Sequence, residues 1–264
     1  MSDSTLRNIV RSLDSVVVAY SGGVDSGVML AIAVQELGQR ALGVTGISPS
    51  VAGGEAEAAA ALARSIGARH EILETREFDD DRYRANPINR CYYCKNELYG
   101  RLDVLARERG FAHVVDGFNA DDGTGMLDAR PGRGAALRLG VRSPLAEAGL
   151  CKSDVRALAK ELGLAAWDKP ATPCLSSRVP YGTRIEVDDL RRIDLAEGFL
   201  RASGFPIVRV RHFGATARVE VPSTDVSRLE TQRARVERGL RDVGYASIEI
   251  DARGYRMGSL NERQ

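Results

Sequence analysis

The sequence is poor in the residues that build histidine metal sites and disulfide frameworks. It contains three histidines and four cysteines in 264 residues. The histidines, His70, His113 and His212, have no paired spacing, so a histidine-based metal site is not expected. Cys91 and Cys94 form a single Cys-x-x-Cys, and the lack of a second pair excludes a Cys₄ zinc ribbon. Four cysteines in an intracellular chain favour catalytic or metal-binding roles over disulfide bonds.

Long apolar runs and an excess of charge are also missing. No apolar run approaches the ~20 residues of a transmembrane helix, and the first residues carry no apolar signal-peptide core. We therefore expect a cytoplasmic protein without a membrane partner. A formal net charge of +1 disfavours a general nucleic-acid binder, whose domain is usually strongly basic. The length allows one large domain or two modest ones.

Both common phosphate-binding motifs are absent, since the chain has neither Gly-Lys-Ser/Thr nor Gly-x-Gly-x-x-Gly. A different glycine turn is present. Residues 15–20 are an apolar, β-branched run that predicts a buried parallel strand. Ser-Gly-Gly at 21–23 predicts a tight turn, and helical spacing begins at Asp25 or Ser26. Backbone N–H groups converge at such a junction, which predicts an anion site; an ordinary strand-to-helix turn is the alternative.

The hexapeptide Ser-Gly-Gly-Val-Asp-Ser at 21–26 resembles the PP-loop of the ATP pyrophosphatases, which cleave ATP between its α and β phosphates. The resemblance implies that this loop holds the β,γ-pyrophosphate through N–H groups and hydroxyls, and that Asp25 helps to hold Mg²⁺. The nucleotide-binding residues implied in this way are Ser21, Gly22, Gly23, Asp25 and Ser26.

Predicted strands and helices alternate along the next hundred residues. This order predicts an α/β fold with a parallel sheet. The predicted strands lie at 41–46, 68–73 and 112–116, and the helices at 53–66 and 96–109. Open α/β sheets bind ligands at the carboxyl ends of their strands, so Thr45 is a candidate for an adenine contact. His70 is interpreted as a surface strand residue.

Polar residues follow the strand at 112–116. Asn119, Asp121 and Asp122 are candidates for orienting Mg²⁺ or substrate at the ligand edge of the sheet, and an Asx-rich turn is the alternative. Further along, Arg-Pro-Gly-Arg at 130–133 is a candidate anion clamp. Residues 142–145 predict a short fifth strand.

The Cys-x-x-Cys pair stands at the predicted start of a helix. Thiols in that position have lowered pKa values and lie on one side of the turn. Cys91 and Cys94 therefore suit a redox pair, half a zinc site or part of an iron–sulfur site. Two small apolar residues packed at a helix start are the equally weighted alternative. Cys151 stands alone before a predicted helix at 152–162 and is interpreted as structural.

A proline-rich stretch at 167–180 predicts the end of the nucleotide-binding domain. Its prolines disfavour a helix, and Cys174 lies within it, close to the cation of Arg178, which is a candidate to stabilise a thiolate. A linker cysteine without a function is the alternative. We predict two domains, 1–172 and 173–264, the second a small α+β unit of order αββαβ. Arg209 and Arg211 lie on one face of a predicted strand there. They form either a phosphate-binding site or part of a solvent-exposed polar face.

Taken together, these motifs resemble the LarE family of ATP-dependent sulfur transferases, which help to make the nickel-pincer nucleotide cofactor of lactate racemase. The resemblance covers nearly the whole chain. It rests on the segments 21–26, 89–95, 117–122, 130–132, 140–145, 167–170, 173–183, 208–212 and 258–261. It implies an adenine nucleotide alpha hydrolase-like first domain and a homo-hexamer.

The resemblance implies a reaction in two halves. ATP adenylates a carboxylate of pyridinium-3,5-biscarboxylic acid mononucleotide and releases pyrophosphate; a sulfur nucleophile then displaces AMP and leaves a thiocarboxylate. Arg209 and Arg211 would hold the substrate's phosphate, where subunits meet. Glu197 and Glu220 are weaker candidates for a nearby metal or substrate site.

Two sources of sulfur follow from the resemblance. In sacrificial members of the family, the cysteine at the position of Cys174 gives up its sulfur and becomes dehydroalanine. Members with two further cysteines, here Cys91 and Cys94, are thought to hold a [4Fe–4S] cluster through all three thiolates, leaving one iron open for a transferable sulfide. We expect the cluster route, with ATP and Mg²⁺ as the other cofactors and an unidentified sulfide donor.

Two other functions compete with this interpretation. Some tRNA thiolation enzymes combine a PP-loop with three cysteines, but they need a basic surface or an added RNA-binding domain, and neither is visible in this sequence. A non-catalytic ATP or iron–sulfur sensor would bind ATP and release no pyrophosphate when the pyridinium substrate is supplied.

Overall fold

A computed structural model describes residues 2–123, 131–168 and 172–256, and all structural statements below concern those ranges. The chain divides into two units. The first comprises the chain up to Ser48 together with 53–83 and 89–172, and the second comprises 49–52, 84–88 and the chain from Pro173 onward. The domain prediction assigned the two short segments to the first domain.

Strands and helices alternate from α1 to β4, as the periodicity of the sequence predicts, except that α4 and α5 are consecutive, and three further helices follow β4. The elements are α1 (Ser2–Ser12), β1 (Val16–Ala19), α2 (Val24–Leu37), β2 (Ala41–Ile47), α3 (Glu55–Ile66), β3 (Arg69–Glu74), α4 (Asp81–Arg84), α5 (Arg90–Glu108), β4 (His113–Val115), α6 (Pro131–Arg138), α7 (Pro144–Glu147) and α8 (Lys152–Glu161). No helix in the described ranges combines the length and the apolar character needed to cross a membrane.

The first unit is built on a four-stranded parallel sheet of order β3-β2-β1-β4. Its strand β1 lies inside the sheet, paired with β2 on one side and β4 on the other. Val16, Val17 and Val18 are fully buried, which explains why this strand reads as a continuous apolar run rather than an alternating one. The predicted α/β fold is therefore confirmed, and both β1 and β4 end beside the loop that precedes α2.

The predicted fifth strand at 142–145 is wrong. Arg142 makes a single parallel bridge with Val115, and the chain then turns into α7. Pro144 stands at the first helical position, where its missing N–H costs nothing, whereas a strand at this point would lose a hydrogen bond. The bridge nevertheless places Ser143 beside the end of β4.

The second unit carries a three-stranded sheet of order β5-β6-β7, with β5 and β6 antiparallel and β6 and β7 parallel. Its elements are α9 (Val187–Ala202), β5 (Arg209–Phe213), β6 (Thr216–Glu220), α10 (Val226–Thr231), α11 (Arg233–Asp242) and β7 (Ser247–Ile250). This is the predicted αββαβ order, except that the last helix is broken at Gln232 into two. Its core includes the fully buried Leu200, Val210 and Leu240.

Candidate functional site

The glycine turn between β1 and α2 is fitted closely against α3. Gly22 has φ +73°, a conformation that favours glycine. A Cβ atom at this position would lie 2.8 Å from the Cβ of Ala59 and 2.9 Å from its Cα. Gly22 is therefore required both by its backbone conformation and by the close approach of α3. The helix begins at Val24, one or two residues earlier than expected.

Two serine hydroxyls connect the ends of this turn. The Oγ atoms of Ser21 and Ser26 lie 3.1 Å apart. Ser26 Oγ also accepts the N–H of Ser21 at 3.2 Å and lies 3.2 Å from the carbonyl oxygen of Gly23, to which it can donate. Ser26 is buried. The turn is thus held closed by its own side chains while the N-terminus of α2 faces the loop.

The segment after β4 packs directly on the start of α2. A Cβ atom on Gly117 would lie 2.6 Å from the backbone nitrogen of Ser26 and 2.9 Å from the carbonyl carbon of Asp25. Two residues later, Asn119 Nδ2 donates to Asp25 Oδ1 at 3.2 Å, and Asn119 is buried. The structure therefore brings the predicted Asn119 to the predicted loop.

Lys152, which sequence reasoning missed, completes this cluster. Its Nζ forms an ion pair with Asp25 Oδ2, and its backbone N–H donates to Asp121 Oδ2 at 2.7 Å. The structure thus gathers the predicted Asp25, Asn119 and Asp121 with an ammonium group at the mouth of the turn. Lys152 opens α8 in a chain with only four lysines, and that scarcity is the one sequence feature that could have drawn attention to it.

Thr45 does not present a free hydroxyl. Its Oγ1 lies 2.8 Å from Nε2 of His70, and Thr45 is buried. His70 is half-buried, in edge-to-face contact with Tyr20, rather than at the surface as interpreted from the sequence. Burial, followed by the charge of Arg64, lowers the pKa of His70, so the neutral imidazole is favoured at neutral pH.

A second polar cluster surrounds Asp116 at the end of β4. Its Oδ1 accepts the hydroxyl of Ser143 at 2.7 Å, and its Oδ2 accepts the hydroxyl of Tyr99 at 3.1 Å. Arg133 donates from Nη1 to Ser143 Oγ at 2.5 Å. Of the predicted anion clamp at 130–133, Arg130 lies outside the described residues. Through Ser143, Arg133 is linked to the buried carboxylate of Asp116.

Cys91 and Cys94 lie within the first two turns of α5, so the Cys-x-x-Cys stands at a helix start as predicted. Cys91 is exposed and Cys94 is partly buried. Next to them, the Lys95 ammonium lies 5.5 Å from the centre of the Tyr99 ring. A Cβ atom on Gly132 would lie 2.9 Å from Lys95 Cγ, so the start of α6 packs closely on this turn.

Cys174 begins a short 3₁₀ turn, Leu175–Arg178, in the second unit, and it is exposed. The side chain of the nearby Arg178, the predicted cation for its thiolate, is hydrogen-bonded to other groups. Arg178 is fully buried, and its Nε and Nη2 donate to the two carboxylate oxygens of Glu197 at 2.8 and 3.0 Å. Its Nη1 donates to the carbonyl oxygens of Pro173 and Cys174. The guanidinium thus holds the backbone at Cys174.

Arg209 and Arg211 lie two residues apart on β5, on one face of the strand, and both are buried. The Arg211 guanidinium pairs with Glu220 at 2.8 Å and donates from Nη1 to the carbonyl oxygen of Ser177 at 3.1 Å. Burial, and then the charge of Arg178, lowers the pKa of Arg209. Buried guanidinium groups stay charged, and Arg211 contacts the Cys174 turn through Ser177, so these arginines and their paired carboxylates lie beside that turn.

Comparisons with known proteins identify the family. No pattern in a scan of known families matches the chain. Pyridinium-3,5-bisthiocarboxylic acid mononucleotide synthase of Lactiplantibacillus plantarum is 37% identical over 98% of this chain and 93% of its own length. This chain belongs to the LarE family. Two uncharacterized proteins are also similar to this LarE-family chain. The protein slr1717 of Synechocystis sp. is 43% identical over 97% of this chain and 95% of its own length. The protein MJ0830 of Methanocaldococcus jannaschii is 27% identical over 91% of this chain and 90% of its own length.

Membership of the LarE family makes the chain an enzyme of the sulfur-transferase type. The alignment with the curated synthase spans both structural units, so it includes the glycine turn, the Cys-x-x-Cys helix and the Cys174 turn. The relation confirms the family resemblance drawn from the motifs.

Cys151 differs from the other cysteines of this LarE-family chain. It is the N-cap residue of α8, with its Sγ 2.9 Å from Asp154 Oδ2 and its backbone N–H 3.0 Å from the same oxygen. The hydrogen bond from the thiol, followed by that from the N–H, lowers the pKa of Asp154. Cys151 therefore caps a helix, which agrees with its interpretation as structural.

Within the described ranges, no group of three or more His, Cys, Asp or Glu side chains is placed to hold a metal ion. Cys91 and Cys94 supply two thiols of the kind that ligates an iron–sulfur cluster. The predicted three-thiol set of Cys91, Cys94 and Cys174 is not seen among the described residues and stays a prediction.

Proposed function

We propose that this enzyme uses ATP to insert sulfur into pyridinium-3,5-biscarboxylic acid mononucleotide, on the route to the nickel-pincer nucleotide. The observation that carries the proposal is the 37% identity, over almost the full length of both chains, to the synthase of the bisthiocarboxylic acid product. The chemistry of the glycine turn and of the Cys174 turn, each in its own unit, agrees with the two halves of that reaction.

The first half is adenylation. A carboxylate oxygen of the substrate attacks the α-phosphorus of ATP, the bond to the β-phosphate breaks, and pyrophosphate leaves. The N–H groups of the glycine turn and the Ser21 and Ser26 hydroxyls would hold the β and γ phosphates. The Lys152 ammonium, now paired with Asp25, would exchange that partner for phosphate oxygens and neutralise the charge of the leaving group.

Magnesium fits the donor set at the same place. Asp25 and Asp121 offer carboxylate oxygens, the ligands that Mg²⁺ prefers. When bound, the ion would supply further charge neutralisation on the phosphates. Asn119 would keep Asp25 oriented through the hydrogen bond that it already makes.

The second half is sulfur transfer to the acyl-adenylate. A sulfur nucleophile attacks the acyl carbon, the bond from that carbon to the AMP oxygen breaks, and AMP leaves. If Cys174 is the donor, loss of its α-proton and cleavage of its Cβ–Sγ bond leave dehydroalanine in the chain and a thiocarboxylate on the product. Arg209 and Arg211, which carry positive charge beside the Cys174 turn, would bind the phosphate of the mononucleotide. By the family resemblance we also propose a homo-hexamer.

The cluster route remains our proposal for repeated turnover. Cys91 and Cys94 fit part of a [4Fe–4S] site, with Cys174 as the third ligand. When bound, such a cluster would carry the sulfide that is transferred. Because the described residues do not show the three-thiol set, we derive no step through the cluster.

The decisive experiment supplies ATP and the pyridinium mononucleotide to the purified enzyme and measures pyrophosphate, thiocarboxylate product and the mass of the protein. Pyrophosphate and product in equal amounts are expected. Loss of the mass of H₂S at Cys174 would indicate the sacrificial route, and an intact chain with continuing product would indicate an external sulfide. ATP binding without pyrophosphate release would refute the proposed function.

A further inference from the structure

We infer that Arg178 and Glu197 form a positioning pair, which holds the backbone of Cys174 in a fixed place relative to the strand that carries Arg209 and Arg211. The inference rests on the proposed function and adds residues that neither donate sulfur nor bind phosphate. It replaces two expectations from the sequence, that Arg178 stabilises the thiolate and that Glu197 contributes to a metal or substrate site.

The pair is bidentate and entirely buried. Both side chains have a relative exposure of 1%, and the two hydrogen bonds between guanidinium and carboxylate are 2.8 and 3.0 Å long. A planar guanidinium matched to a carboxylate in this way fixes orientation as well as distance. The pair is therefore a rigid connection between the 3₁₀ turn and α9.

On the Arg178 side, the remaining nitrogen holds the cysteine turn. Nη1 donates to the carbonyl oxygen of Pro173 at 2.6 Å, to that of Cys174 at 3.0 Å and to Ser177 Oγ at 3.0 Å. One side chain thus ties down the residues before and after the thiol. The backbone of Cys174 cannot shift without breaking a charge-assisted hydrogen bond.

On the Glu197 side, the carboxylate holds β5. Glu197 Oε1 accepts the backbone N–H of Val210 at 3.0 Å, and Val210 stands between Arg209 and Arg211. The loop and the strand also meet directly, since Arg211 donates to the carbonyl oxygen of Ser177. The turn that carries Cys174 and the strand that carries Arg209 and Arg211 are therefore held by the same ion pair.

Packing alone does not require a buried ion pair here. Replacing such a pair with apolar side chains of similar size is often neutral or stabilising, whereas removing one partner is costly. Sulfur transfer, in contrast, needs a fixed distance between the anchored phosphate and the sulfur, and a misplacement of about 1 Å can cost about 100-fold in rate. The Arg178–Glu197 pair would fix the distance between the bound phosphate and the sulfur.

The test compares Arg178→Lys with the wild type in the complete reaction. Lysine keeps the charge but lacks the planar fork, so it cannot hold Glu197 and the two carbonyl oxygens together. We expect pyrophosphate release and the KM for the mononucleotide to stay within about 3-fold, while the yield of thiocarboxylate per pyrophosphate falls by about 10-fold or more. An unchanged yield per pyrophosphate would overturn the inference.

Two further variants keep the test decisive. Arg233→Lys makes the same exchange in the exposed Arg233–Glu230 pair, and its product yield should equal that of the wild type. If Arg178→Lys does not fold, the double variant Arg178→Met, Glu197→Leu removes both charges together. It should fold and show the same loss of yield, and full yield would overturn the inference.

A third readout does not depend on the proposed substrate. The rate at which iodoacetamide alkylates Cys174, followed by peptide mass spectrometry, should change by about 3-fold or more in Arg178→Lys, because the turn is released. The rate at Cys91 should stay unchanged. Wild-type enzyme that releases no pyrophosphate would refute the proposed function, whereas equal alkylation at Cys174 in both proteins would refute the positioning pair.

Discussion

Replacing Gly117 with alanine tests whether the contact between the loop after β4 and the start of α2 shapes the nucleotide site. The added Cβ would lie 2.6 Å from Ser26 N, and the other nearest atoms are also backbone atoms of Asp25 and Ser26. Gly117 does not have a positive φ, so alanine fits the local conformation, and the whole effect is steric. Backbone atoms cannot rotate away, so the two segments must move apart.

The size of the effect follows from the distances. An ordinary contact begins at 3.4 Å, which requires a separation of about 0.8 Å. Overpacking of this kind costs about 1–3 kcal/mol, offset by about 0.4–1 kcal/mol from the reduced freedom of the unfolded chain. We expect a net loss of about 1–2 kcal/mol in the free energy of unfolding, and about a 10- to 100-fold loss of pyrophosphate release, because the displaced atoms lie in the turn.

Urea unfolding and a pyrophosphate assay measure the two effects, and Gly100→Ala is the matched control. Gly100 lies inside α5 with no atom within 4 Å of its added Cβ, so alanine there should stabilise the protein by about 0.5–1 kcal/mol. A Gly117→Ala protein with wild-type stability and wild-type pyrophosphate release would refute this account of the site.

Four other changes test separate features of the structure. Lys152→Met should lower pyrophosphate release by about 10-fold or more, whereas Lys160→Met, on the exposed side of the same helix, should leave it unchanged. Cys151→Ala should cost about 1 kcal/mol of stability through the lost cap, and Cys151→Ser should restore it in a thermal melt. Burial lowers the pKa of His212, so the unfolded chain binds the proton more readily than the folded one. The free energy of unfolding should therefore fall as the pH drops below about 6.5. His212→Gln should reduce this pH dependence, measured by urea unfolding at several pH values. Anaerobic iron reconstitution should fail with Cys91→Ser and succeed with Cys151→Ser, and equal iron binding by both would contradict the cluster.

The features of local structure that were predicted correctly depend on local patterns. The apolar strand, the glycine turn and the helix after it lie within about twenty residues, and their conformations follow from the side chains in that stretch. The Cys-x-x-Cys at the start of α5 and the shared face of Arg209 and Arg211 are local in the same sense. Periodicity and turn chemistry are sufficient for such features.

The parts that were missed depend on long-range packing. Lys152 reaches Asp25 across 127 positions in the sequence, and no periodicity reports such a contact. Arg178 is close to Cys174 in the sequence, but its guanidinium pairs with the carboxylate of Glu197 in α9. The predicted strand at 142–145 failed because Pro144 starts a helix. Partner choice inside a fold is decided by burial, which the sequence pattern alone does not show.

The bond between Glu197 and the N–H of Val210 has a consequence for solubility. Strand β5 is a terminal strand of its sheet, and an unpaired N–H on such a strand is a template for joining a strand from another molecule. A buried carboxylate on that N–H blocks such intermolecular pairing. Loss of Glu197 would leave this N–H without its acceptor and weaken the protection of this edge, independently of any effect on sulfur chemistry.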